Sequence, residues 1–199
     1  MLKKIFTVLG VALIGLIAFI FTRPNTYHVE RSITVKAPQE AVFASIADLR
    51  KMAEWSPWDK LDPAMTKTYS AATTGVGASY SWKGNKEVGA GKMEITDVKA
   101  PAYVRERLEF IEPFQSVAAT GFDLVPLPGG EVKATWSMDG KHNFVSKAMC
   151  LVMDMDKMIG KDFEAGLANL KKIVEAQAPA GTAAATATPP TPTAEAKPQ

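Results

Sequence analysis

From Tyr103 to Met138 the chain alternates oily and polar residues with a period of two. Val104, Leu108 and Phe110 fall on one side, Arg105, Arg107 and Glu109 on the other. Phe122 and Leu124 lead into Pro128-Gly129-Gly130. After that turn Val132, Ala134, Trp136 and Met138 alternate with Lys133, Thr135, Ser137 and Asp139. Such spacing marks strands covered on one side only. A one-sided sheet must lay its apolar face on another element. One partner of sufficient length lies near the C-terminus. There Met155, Met158, Ile159, Phe163, Gly166, Leu167, Leu170, Ile173 and Val174 step by three and four, which predicts a helix of about twenty residues.

The elements before this stretch fit the same plan. Tyr27 to Lys36 reads as a strand, with Tyr27, Val29, Ile33 and Val35 on one face and Arg31 interrupting it. Ala37-Pro38 opens a helix carrying Ala41, Val42, Ser45, Ile46 and Leu49, and Met52 and Trp55 extend the stripe into a second short helix. Met65 to Ala71 predicts a short strand. Ala78, Tyr80 and Trp82 predict another, with Gly84-Asn85 as a tight hairpin signal and Val88, Gly91, Met93 and Ile95 returning. Gly89-Ala90-Gly91 marks a bulge or sharp bend. Phe144 to Met153 is apolar and methionine-rich, and reads as a short helix of its own.

Both ends differ from the middle. Lys3-Lys4 precede an unbroken apolar run, Ile5 to Phe21. Seventeen helical residues cover roughly 26 Å, close to the hydrocarbon thickness of a thin bilayer. Two other readings compete, a cleaved signal peptide and a buried helix of the domain. The exit, Phe19-Ile20-Phe21-Thr22-Arg23-Pro24, has no small-residue cleavage site and favours an uncleaved anchor. The paired lysines place the N-terminus in the cytoplasm and the domain beyond the inner membrane, in a periplasm if one exists. From Ala178 the chain turns to Ala, Thr and Pro, a composition that buries no face and predicts a disordered tail. The expected organisation is an anchor over 1–24, a domain over 25–177 and a tail over 178–199.

Charge and cysteine content exclude some classes. Between Arg23 and Ala178 there are 20 basic and 20 acidic residues, so the domain lacks the basic excess of a nucleic-acid binder. The one cysteine, Cys150, forms no internal disulfide. No Cys/His cluster has metal-ligand spacing, so neither metal nor cofactor is expected. Gly75-x-Gly77 lacks the strand-to-helix context of a dinucleotide loop. Ser137, Asp139 and His142 share one local turn, whereas a nucleophilic triad needs converging geometry.

The order of elements resembles the helix-grip fold of the START-like superfamily, which includes the birch-pollen-allergen proteins and the polyketide cyclase/dehydrase (SRPBCC) group. The resemblance is carried by Val29 to Pro38 with Val42-Phe43, by Trp55-Ser56-Pro57-Trp58 and by Gly75 to Trp82. Phe110-Ile111-Glu112-Pro113-Phe114 and Asp162 to Lys171 complete it. It implies an α+β fold: a curved antiparallel sheet of about seven strands wrapped around a long C-terminal helix, preceded here by a transmembrane helix. It also implies a deep apolar cavity between sheet and helix. Members mostly bind lipids, sterols or aromatic polyketides, and only some are enzymes.

The residues expected to line that cavity are Trp58, Tyr69, Tyr80, Trp82, Met93, Leu108, Phe110, Phe122, Trp136, Met138, Met158 and Phe163, with Met149 and Met153 also directed inward. Ordinary core is the alternative for each. Glu106 falls on the apolar face between Val104 and Leu108. A carboxyl kept in an apolar cavity has a raised pKa and can anchor a ligand head group or act as general acid or base. It can instead reach water at a strand edge or pair with Arg31. Three functions follow: a non-enzymatic, membrane-tethered binder of a hydrophobic small molecule or lipid; a cyclase- or hydrolase-like enzyme using Glu106; and an interaction module whose Pro/Thr tail reaches an unknown protein.

Overall fold

The computed structural model describes residues 2–142, 144–151 and 153–177. The expected Ala/Thr/Pro tail, 178–199, lies outside the described residues. The apolar N-terminal run forms α1 (Leu2–Phe21), followed by β1 (Thr26–Val35), α2 (Gln39–Ile46), α3 (Leu49–Trp55) and a single 3-10 turn (Trp58–Lys60). Six strands come next: β2 (Thr66–Tyr69), β3 (Ser79–Lys83), β4 (Ala90–Lys99), β5 (Tyr103–Glu112), β6 (Ser116–Leu127) and β7 (Glu131–Lys141). The short α4 (Phe144–Met149) and the long α5 (Met155–Gln177) complete the chain's described elements.

The seven strands form one curved antiparallel sheet in the order β1-β7-β6-β5-β4-β3-β2. Its register keeps the oily positions on one face. Val29 sits opposite Met138, Met138 opposite Thr120, Thr120 opposite Glu106, and Glu106 opposite Ile95. The expected bulge appears as register shifts in β4, at Ala90/Gly91 and again at Ile95/Asp97. The β3–β4 connection differs from the expected tight hairpin. It is a wider loop, Gly84 to Gly89, in which the Gly84 N–H donates to the Gly89 carbonyl at 2.9 Å. Asp62 explains the difference, because its carboxylate accepts the Asn85 N–H at 2.6 Å and holds the loop open from outside.

Helix α5 lies along β1 and meets β7, α2 and α3. Asp154 accepts the Lys157 N–H at 3.2 Å and so caps its first turn. Phe163, Leu167, Leu170 and Val174 are each 0–1% exposed, which seats one helical stripe on the sheet. Gly166 allows this close approach, since a Cβ there meets the Trp136 ring at 2.8 Å and Pro57 at 3.2 Å. Arg31, which interrupts the oily face of β1, is absorbed by the same helix. Its guanidinium donates to Glu164 at 2.9 Å and to Asp156 at 2.9 and 3.0 Å. The alternative of an Arg31–Glu106 pair is therefore not realised.

Helix α1 is the opposite case. Eleven of its large apolar side chains are exposed, and it is long and apolar enough to cross a membrane. Among the described residues its last turn meets the domain, where Ile20 is buried and Phe21 makes a ring contact with Phe144 at 5.5 Å.

Phe163→Ala is expected to lower stability by about 3–5 kcal/mol, because it opens a cavity between helix and sheet. Urea unfolding followed by tryptophan fluorescence measures this. A change below about 1 kcal/mol means that the helix is not seated through this ring.

Candidate functional site

The inner face of the sheet divides into two regions of different character. Under α5 it is filled. Trp136 stacks on Phe163 with ring centroids 4.1 Å apart and planes 2° from parallel, and on Phe122 at 4.9 Å. Trp55 and Trp58 close on Trp136 edge-on at 5.4 and 5.6 Å. The indole N–H groups are satisfied: Trp55 donates to the Ser45 carbonyl at 3.1 Å and Trp136 to the Thr120 hydroxyl at 3.1 Å. Phe122, Trp136, Phe163 and Met138 are 0–4% exposed. These four expected cavity residues, with Trp58, pack against one another as a plug.

The second region lies on β2 to β5, away from the α5 contact. Tyr69, Tyr80, Trp82 and Phe110 form a ladder of rings across three strand pairings, with centroids 5.5, 5.9 and 6.1 Å apart in turn. Gly91 makes room for it, since a Cβ at that position overlaps the Trp82 ring and the Glu109 carbonyl. The Trp82 indole donates to the Val88 carbonyl at 3.0 Å, which fixes its plane. Met93 and Leu108, each 7% exposed, floor the ladder, while Tyr69, Trp82 and Phe110 remain half-buried. Charges flank its edge. Arg50 lies 4.7 Å above the Tyr69 ring, and Lys67, paired with Asp59, lies 4.9 Å from the Tyr80 ring.

Glu106 sits on the same face, one step along β5 from Leu108. It is 2% exposed, and neither carboxylate oxygen has a hydrogen-bond partner among the protein groups. Burial alone pushes its pKa up to about 8, so the carboxyl is mostly protonated at neutral pH. Burial, and then the nearby Glu106, also raise the Tyr80 hydroxyl far above its ordinary range. The strand-edge alternative for Glu106 is thus not what the fold provides.

Three expected inward residues face outward. Met149, Met153 and Met158 are 43%, 41% and 47% exposed. Met158 stands in the first turn of α5, before the helix reaches the plug, and the other two belong to α4 and the segment after it. Cys150 lies in the turn that follows α4 rather than within a helix. His28 is exposed and bonds Asp139 at 2.8 Å, while His142 contacts Ser146 at 3.3 Å, so neither joins Ser137 in a triad. No group of His, Cys, Asp and Glu among the described residues is arranged to hold a metal. Period-two spacing placed the ladder and the plug on one face without separating them. The flanking Arg50, Lys67 and Asp59 were missed, because their approach to the rings is a long-range contact.

Two open hollows lie elsewhere. One of about 390 Å³ is bounded by Cys150, Leu151, Met153, Asp154 and Met155. The other, about 930 Å³, is lined chiefly by exposed residues such as Thr26, His28, Arg107 and Ala119. Glu106 contributes to its wall, yet both carboxylate oxygens are sealed from solvent, so this hollow does not reach the carboxyl.

Comparison with known proteins agrees with this architecture. A protein from Chromobacterium violaceum is 17% identical over 76% of this chain and 99% of its own, with a TM-score of 0.53. One from Nitrosospira multiformis is 16% identical over 76% and 98%, with a TM-score of 0.54. The major latex-like protein 151 of Panax ginseng is 15% identical over 77% and 98%, with a TM-score of 0.51. Likeness at this identity establishes the shared fold. No curated protein matches the chain. The family described as polyketide cyclase / dehydrase and lipid transport matches residues 26–175, which is the whole sheet and nearly all of α5. The chain belongs to that family.

Proposed function

We propose that this protein is a membrane-tethered, non-enzymatic binder of a hydrophobic small molecule or lipid, held on the inner face of β2 to β5. The observation that carries this reading is the ladder of Tyr69, Tyr80, Trp82 and Phe110, all but Tyr80 half-buried, on the part of the sheet that α5 does not cover. Apolar surfaces with few polar groups suit lipid-like ligands. The plug fixes sheet and helix, and the ladder supplies contact area. α1 acts as an uncleaved anchor, with Lys3 and Lys4 on the cytoplasmic side and the domain beyond the inner membrane.

Glu106 is the one observation that favours the second reading, a cyclase- or hydrolase-like enzyme. Its raised pKa suits a general acid. Against this, both oxygens are sealed, and no protein hydrogen bond orients the carboxyl toward a reacting atom. Its protonated form serves better as a single polar point among oily neighbours, available to a ligand's head group when the ladder opens.

Native mass spectrometry of the full chain released from host membranes is expected to show one added apolar mass. Phe110→Asp removes it while far-UV circular dichroism shows that the variant still folds. No added mass, together with no uptake of a fluorescent fatty acid, overturns the binding reading. Glu106→Gln is expected to leave the added mass in place; turnover of an ester or polyketide that this variant abolishes makes the protein an enzyme instead.

The carboxyl also predicts a pH dependence. Its folded pKa of about 8 lies above its ordinary 4.5, so the folded state holds the proton more tightly. The stabilising contribution is full below pH 4.5 and is lost as pH rises to 8, at up to roughly 1 kcal/mol per pH unit. Glu106→Leu removes that slope and raises stability at pH 8 by about 1–3 kcal/mol. Denaturant titrations at several pH values measure both. An unchanged slope in the variant shows that another group is responsible.

A further inference from the structure

The join between α1 and the sheet restricts how the domain can sit. Four residues, Thr22 to Asn25, separate Phe21 from Thr26. Fully extended, they span at most about 18 Å. Local contacts shorten this reach. Lys147 of α4 donates to the Asn25 side chain, the His142 N–H donates to the Asn25 carbonyl at 2.8 Å, and Phe21 meets Phe144. The surface around the start of β1 is therefore held beside any bilayer that α1 crosses.

That surface carries a cluster of exposed apolar side chains. The antiparallel register gathers the start of β1, the end of β7 and the β5–β6 turn at one end of the sheet: Thr26 lies opposite Lys141, Ala118 opposite Gly140, and Phe110 opposite Ser116. Ile111 stands at the end of β5, Phe114 on the β5–β6 turn and Val117 at the start of β6, with Phe144, Met149 and Met153 on α4 and just after it. All six are 41–58% exposed. Outside α1, ten large apolar side chains are exposed among the described residues, and only Val76 and Val125 lie away from this end. Single exposed apolar residues are ordinary on any protein, whereas a cluster at the tethered end marks an interaction surface.

We propose that this end of the domain is seated in the leaflet from which α1 emerges, with the β5–β6 turn and α4 immersed at the boundary of headgroups and acyl chains. The partner is the lipid bilayer itself. A headgroup layer occupies about 5–8 Å on each side of the hydrocarbon. The linker leaves roughly 10 Å beyond it at full stretch, too little for a folded partner to intervene. Apolar faces of interfacial helices immerse about 5–10 Å, a depth that the short linker permits here. Trp82 and Phe110 form the end of the ladder nearest this surface, paired through Gly91 in one row of the sheet. An apolar molecule then passes between leaflet and ladder without crossing water. This deepens the function proposed above and rests on α1 spanning a membrane.

The test uses the full chain in lipid nanodiscs of phosphatidylcholine and phosphatidylglycerol. Cys150 is the only cysteine of the chain and lies beside Met149, so it takes a nitroxide label directly. In a Cys150→Ser background, labels at Phe114→Cys, Val125→Cys and Leu13→Cys complete the set. Power saturation compares the access of dissolved oxygen with that of an aqueous nickel chelate. Labels at 150, 114 and 13 are expected to favour oxygen, and the label at 125 to favour nickel. Phe114→Glu combined with Met153→Glu shifts the Cys150 label toward nickel. If position 13 favours oxygen while either 114 or 150 matches 125, the seating is overturned and the anchor stands. If position 13 itself lies in water, both readings fall.

Discussion

The face-to-face contact of Trp136 with Phe163 ties the long helix to the sheet. It joins a residue in the last strand to one in the last helix, and it is the closest ring pair described in the molecule. Two small features make it possible. Gly166 keeps the helix backbone near the Trp136 ring, and the Trp136 indole spends its single donor on Thr120 within the sheet. Phe122, Trp55 and Trp58 then pack around the pair. Stacked and edge-on rings of this kind add directional preference to the apolar area they bury. The helix is thereby fixed over β1 and β7, and β2 to β5 lie beyond its contact.

Two charges on the oily face are handled in opposite ways. Arg31 projects from β1 toward α5 and finds Asp156 and Glu164, whose carboxylates remain largely exposed. The pair is anchored at the domain's rim, where water lowers the cost of keeping all three charged. Glu106 points into the sheet's centre and finds nothing, so it carries a proton instead of a charge. An unpaired polar group in such a place costs stability. Glu106 stands at the border of the two regions, opposite Thr120, which accepts from the plug's Trp136, and close enough to Tyr80 of the ladder to raise that hydroxyl's pKa.

The N-terminal helix gives the molecule a direction. It meets the domain at its last turn, and the oily side chains that the fold leaves outside gather near that contact. The opposite end of the sheet, where β4 turns into β5 and β6 into β7, is built of short turns rich in Pro, Gly and Ala, with Val125 as its large exposed apolar side chain. Gln39 closes it by donating to the Pro101 and Leu124 carbonyls, both at 3.1 Å. One end is sealed by hydrogen bonds and the other is bordered by methionine and phenylalanine, a polarity that fits a protein working against lipid.

Local periodicity carried most of the architecture. The alternation of Val132, Ala134, Trp136 and Met138, and the three-and-four spacing of Phe163, Leu167 and Leu170, specify strand and helix because each pattern exposes one oily face at one period only. The N-terminal helix was legible from its unbroken apolar run, and most of the inward-facing side chains from their alternation. Which inward residues meet each other was not, since Trp136 and Phe163 are 27 positions apart and Arg31 reaches Glu164 across 133. Alternation says that a side chain faces the interior, and nothing about whether that part of the interior is filled. The division into plug and ladder, the isolation of Glu106, and the outward turn of Met149, Met153 and Met158 arise from helix placement, which depends on contacts between segments distant in the chain.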